Sequence, residues 1–110
     1  MSIALIFPGQ GSQYVGMGKQ LFGRYKIVDD TFDEASEISG LDLKKLCFEG
    51  FSDELLKTII TQQLIFTLGV ASYRVFMQEL GIIPKFFAGN SLGEITALTC
   101  ANVIDFKDAV

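Results

Sequence analysis

The stretch Phe86-Phe87-Ala88-Gly89-Asn90-Ser91-Leu92-Gly93 constrains the fold more than any other part of the chain. An apolar run stops on a Gly-x-Ser-x-Gly pentapeptide, and a helix-like pattern begins at once. This is the layout of a nucleophile elbow: a sharp turn thrusts a serine Oγ out of the backbone, and glycines on both sides admit the turn and close strand–helix packing. The first amides of the following helix lack intrahelical acceptors and face any negative charge that develops beside Ser91. A serine hydroxyl needs a base to take its proton, yet the 110 residues contain no histidine. The sequence carries half of a catalytic site.

The rest of the pattern supplies a frame for that turn. Ile3 to Phe7 is a continuously apolar run stopped by Pro8-Gly9, as in a strand of a parallel sheet covered on both faces. It runs into Gly9-Gln10-Gly11-Ser12-Gln13, with Gly16 and Gly18 beyond, a loop whose backbone can approach a ligand closely. The alternative reading of Gly9 to Gln13 is a tight strand-to-helix connection. Lys26 to Ser39 reads as a surface helix, with Val28, Phe32, Ala35 and Ile38 inward, Asp29, Asp30, Asp33, Glu34 and Glu37 in water, and Gly40 as the stop. Asp42 is placed to cap a short helical turn through Cys47, and Ser52-Asp53-Glu54 has an acidic first turn. Thr61 reads as the N-cap of a long, largely buried helix, Gln62 to Leu80, closed by Gly81 and Pro84. A second strand, Lys85 to Ala88, precedes the elbow, a helix follows from Leu92 to about Ala101, and Asp105 is placed to cap another. Two strands cannot cover one another, so the expected fold is a partial α/β unit, an incomplete parallel sheet with helices whose remaining strands lie outside this sequence.

Composition narrows the function classes. With 49% hydrophobic and 20% charged residues the chain is globular, one domain at most. A net charge of -4 without a basic stripe argues against nucleic acid and anionic lipid as partners. Leu64 to Val75 is too short and too interrupted to span a membrane, and no secretory signal is visible, so the expected location is cytoplasmic. Cys47 and Cys100 lack CxxC spacing and sit in apolar surroundings; they read as buried free thiols, with no metal site expected.

Ile6-Phe7-Pro8-Gly9-Gln10-Gly11-Ser12-Gln13, Gly16-Met17-Gly18 and Ala88-Gly89-Asn90-Ser91-Leu92-Gly93-Glu94 resemble the malonyl-CoA:acyl carrier protein transacylases and the acyltransferase domains of polyketide synthases. Similarity continues through Val28 to Ala35, Leu43 to Gly50, Thr61-Gln62 and Ala101 to Val110. The resemblance implies that residues 1–110 are the N-terminal part, about a third, of one acyltransferase domain, with an α/β-hydrolase-like large subdomain and a ferredoxin-like small one. It implies that Ser91 accepts malonyl from coenzyme A and passes it to the phosphopantetheine thiol of acyl carrier protein. Backbone amides of Gln10 and Leu92 would form the oxyanion hole, and Gln62 would line the acyl pocket. Leu92, where methylmalonyl-selective members have glutamine, is similar to malonyl-selective members. No cofactor is implied beyond the coenzyme A thioester, which is substrate.

Three departures from the family pattern matter. Asn90 replaces a histidine that supports the elbow and acyl pocket; asparagine can hydrogen-bond and tolerates unusual backbone angles. Gln63 and Ile95 stand where a proline and an aromatic ring are common, and both read as local repacking. The family's catalytic histidine and carboxylate-binding arginine have no counterparts in the sequence; Arg24 and Arg74 sit in helical patterns that suit structural roles. The expectation is a chain inactive by itself and poorly soluble or molten, from unpaired strand edges. Two alternatives stand beside the enzyme reading: a non-catalytic remnant or split subunit that binds a complementary chain, and a serine esterase acting on simple esters.

Overall fold

The computed structural model describes residues 4–7, 21–49, 58–82, 84, 86–89, 92–102 and 104–110. In order these form β1 (Ala4–Phe7), α1 (Lys26–Ser39), α2 (Leu43–Glu49), α3 (Thr58–Leu80), β2 (Phe86–Gly89), α4 (Leu92–Cys100) and α5 (Phe106–Ala109). The two strands pair in parallel, with Ala4 opposite Phe86 and Phe7 opposite Gly89. Because the register is flush at that end, the chain leaves β1 and β2 from adjacent points. Helices around a parallel pair make this the partial α/β unit that the sequence implies.

The long α3 is the spine. One side packs on α1 and α2 through Val28, Phe32, Ala35, Leu43, Cys47 and Leu64. Its other side meets α4 through Phe66, Val70, Ala97 and Cys100, with Leu5 and Phe87 of the sheet packed against that cluster. α1 is amphipathic where its spacing requires, and Gly40 ends it with φ 76° while its N–H bonds the Ser36 carbonyl at 2.9 Å. Gly81 closes α3 in the same conformation, its N–H bonding the Met77 carbonyl. Lys45 N–H donates to Asp42 Oδ1 at 3.1 Å, the cap that the sequence suggests for α2.

Several sequence expectations are corrected. Thr61 lies inside α3, which begins at Thr58; Ile60 packs on the core and carries the helix back past it, tertiary burial outweighing the low helix propensity of β-branched residues. α3 is buried through its middle and exposed from Gln78 to Leu80. Ile38 is 43% exposed because, in the last turn of α1, it lies roughly 70° from the centre of the buried stripe at 100° per residue. Thr31 takes the inward place instead, fully buried, with its hydroxyl donating to the Ile27 carbonyl at 2.7 Å. Asp29 is not simply in water: α2 brings Lys44 Nζ within 2.8 Å of its carboxylate, which raises the lysine's pKa. Asp105 precedes α5 in an extended conformation but makes no side-chain cap bond. β2 runs one residue further than expected, to Gly89. The Gly9–Gln13 loop, Gly16, Gly18 and the Ser52–Glu54 turn lie outside the described residues.

Ile6 and Phe86 are 80% and 64% exposed, apolar side chains on the sheet face opposite the one through which Leu5 and Phe87 pack on the core. No helix among the described residues is long and apolar enough to cross a membrane.

Candidate active site

The joint between β2 and α4 is tightly constrained by the described residues on either side of it. Only residues 90 and 91 separate the last strand residue, Gly89, from the first helical residue, Leu92. So short a connection folds the helix back against the strand that feeds it. The backbones touch: a Cβ placed on Gly89 would meet the carbonyl carbon and oxygen of Gly93 closer than real Cβ atoms approach, and the Glu94 nitrogen at 2.5 Å. Gly89 is therefore required by space, and Gly93, buried under it, completes the contact.

Leu92 opens α4, so its N–H belongs to the first turn, where amides have no i−4 carbonyl to bond. It is half-buried and lines a pocket of about 180 Å³ shared with Gln62, Gln63 and Phe66 of α3 and with Val110 after α5. The fold thus brings together Gln62 and Leu92, thirty positions apart in sequence. Ser91, Asn90 and Gln10 lie outside the described residues. A second, larger groove, about 610 Å³, runs along Phe86 to Gly89 and past Glu94 and Leu98 of α4.

Gln63 is a pocket residue that reads as mere repacking in the sequence. Its Nε2–H donates to the Val110 backbone oxygen at 3.4 Å, while its Oε1 is buried with no hydrogen-bond partner. Its place beside Gln62 is the only sequence signal, and a weak one. Arg74 has a structural occupation: it donates to Thr31 Oγ1 at 2.9 Å, lies 3.6 Å from Glu34, and stacks 4.9 Å over the Phe106 ring. Arg24 lies over Tyr25 on the surface. Cys47 and Cys100 are buried thiols whose pKa values burial pushes up to about 12, and so are poor nucleophiles near neutral pH. No group of three His, Cys, Asp or Glu among the described residues could hold a metal ion.

A parallel α/β layer in which a strand turns within two residues into a glycine-packed helix belongs to the class of α/β folds whose sites gather at the carboxyl ends of the strands. Within that class the chain belongs to the acyl transferase domain family, whose model matches residues 4–110. It is 50% identical over 109 residues to a malonyl CoA-acyl carrier protein transacylase of Bacillus subtilis, covering 99% of this chain and 27% of that protein. The transacylase of Escherichia coli (strain K12) is 52% identical over 107 residues, 97% of this chain and 35% of the relative. A solved malonyl-transacylase, in complex with its type II PKS acyl-carrier protein, superposes with a TM-score of 0.95 at 46% identity, covering 99% of this chain and 35% of that one. The chain spans about a third of the length of the relatives it matches.

Proposed function

We propose that these residues form the nucleophile-bearing part of a malonyl-CoA:acyl carrier protein transacylase, with Ser91 forming an acyl-enzyme. The observation that carries the reading is the β2–α4 joint beside the end of β1, with Phe7 opposite Gly89 and Gly89 packed on Gly93. Ser91 Oγ attacks the thioester carbonyl of malonyl-CoA, its proton passes to a base, and coenzyme A leaves as the thiol. The phosphopantetheine thiol of acyl carrier protein then attacks the serine ester, takes the malonyl group and regenerates the hydroxyl. In both tetrahedral intermediates the oxyanion is held by the amides of Leu92 and Gln10, one such donor typically contributing about 3 kcal/mol. Gln62 and Asn90 border the acyl group. Coenzyme A enters only as substrate, and no other cofactor is needed.

The names of the relatives and the carrier-protein complex of one structural neighbour support this choice of donor and acceptor. The base comes from outside the 110 residues, which contain no histidine. A polypeptide of these residues alone transfers no malonyl at enzymatic rates, and a complementary chain restores transfer. The test is mass spectrometry of full-length protein mixed with malonyl-CoA. A malonyl adduct on Ser91, absent in Ser91→Ala, is expected. An adduct that survives Ser91→Ala removes Ser91 from the mechanism, and hydrolysis of simple esters without coenzyme A-dependent transfer favours an esterase.

A further inference from the structure

Resting on the reading of the Leu92 N–H as an oxyanion donor, we propose that Thr96 is a positioning residue for that amide, its hydroxyl anchoring the first turn of α4 through the Leu92 carbonyl. Thr96 lies one turn beyond Leu92 in α4, is 1% exposed, and donates its Oγ1–H to the Leu92 oxygen at 3.5 Å. The amide and the carbonyl of Leu92 hang from one Cα, so a bond to the carbonyl limits how far residue 92 can move against the body of the helix. At 3.5 Å the bond is long, which puts its contribution at the low end for a neutral hydrogen bond.

The first turn of α4 is where such a restraint acts. Its amides have no intrahelical acceptors, which frees the Leu92 N–H for an oxyanion, and its second residue is Gly93, of a type that only proline undercuts as a helix former. Helix ends fray, and this end combines unbonded amides with a glycine. Thr96 adds a donor there. Its hydroxyl lies out of reach of bulk solvent, so it stabilises only through its partner, and valine would fill nearly the same space with no polar atom to satisfy. Thr99 is the internal comparison: it is 8% exposed and donates to the Ile95 carbonyl at the shorter distance of 2.8 Å. A role in holding the helix together ranks Thr99 above Thr96, whereas a role in aiming Leu92 ranks Thr96 above Thr99.

The experiment uses full-length protein and two matched pairs at residue 96, Thr96→Val against the parent and Thr96→Ala against Thr96→Ser, with Thr99→Val as the comparison. Malonyl transfer from malonyl-CoA to acyl carrier protein is measured at steady state, with thermal midpoints recorded. In each pair the member without a hydroxyl is expected to lose about two- to fivefold in kcat and in kcat/KM together, with KM unchanged, the pattern of an interaction made in the transition state. Thr96→Ser and Thr99→Val keep the parent kcat, and the Thr96→Val midpoint is unchanged or higher because the buried hydroxyl is gone. Parent kinetics in Thr96→Val, with no difference between the serine and alanine variants, overturn the role of Thr96 and leave the assignment of Ser91 intact. A loss carried by KM, or an equal loss of kcat in Thr99→Val, also overturns it, the latter in favour of general support of the helix. A malonyl adduct that persists in Ser91→Ala overturns the underlying reading of the site, and this inference with it.

Discussion

Gly89→Ala tests the geometry on which the active-site assignment rests. The added methyl would lie 2.5 Å from the Glu94 nitrogen and closer to the Gly93 carbonyl group. All these atoms are helix backbone, so no side chain can rotate away, and carbon contacts near 3.5 Å require α4 to move by about 1.5 Å. That shift also disturbs the packing of Ala97 and Cys100 against Phe66 and Val70. Overpacking costs typically about 1–3 kcal/mol, and here the upper end applies. About 3 kcal/mol is a large share of the roughly 5–15 kcal/mol that stabilises a typical domain. A misplacement of about 1 Å at a reacting group can also lower the acylation rate about a hundredfold. Gly40→Ala and Gly81→Ala are the controls: a Cβ meets nothing within 4 Å at either, but φ is 76° and 64°, so about 1–2 kcal/mol of left-handed strain is their whole cost. Urea unfolding followed by circular dichroism, with acyl-enzyme formation in full-length protein, separates the cases. A Gly89→Ala variant as stable as the controls and acylated at the parent rate refutes the elbow argument.

Two further outcomes follow from burial and capping. With both thiols near 12 when folded and near 9 when not, the folded state holds more protons as pH rises through 9. Their contribution to stability is intact below pH 9 and declines toward pH 12, so unfolding midpoints should drop over that range, and less in Cys47→Ser/Cys100→Ser. At pH 8 about one folded thiol in ten thousand is ionised, and rapid labelling by a thiol reagent before unfolding contradicts the buried placement. Asp42→Ala should cost about 1 kcal/mol through the lost cap, and Asp105→Ala a few tenths at most, because its side chain caps nothing. Equal losses in denaturant titrations refute the distinction.

The elements of this fold were legible where a local rule was strong. Gly40 and Gly81 end their helices as glycines in the left-handed conformation do, and Asp42 caps as its position suggests. Misreadings fell where distant packing outweighed the local signal. Thr61 has the chemistry of an N-cap, but Ile60 finds a core and the helix starts earlier. Asp29 looks solvated from its own helix and is paired from another.

Sequence alone determined that Ser91 sits between a strand and a helix, flanked by glycines, because that signal is contiguous and depends only on backbone sterics and hydrophobic periodicity. Tertiary structure decided what surrounds the turn. The parallel register sets the exits of β1 and β2 side by side, and the packing of α3 against α4 and α5 puts Gln62, Gln63 and Val110 around Leu92. Those neighbours come from segments far apart in the chain, and no local pattern encodes which faces meet when the core closes.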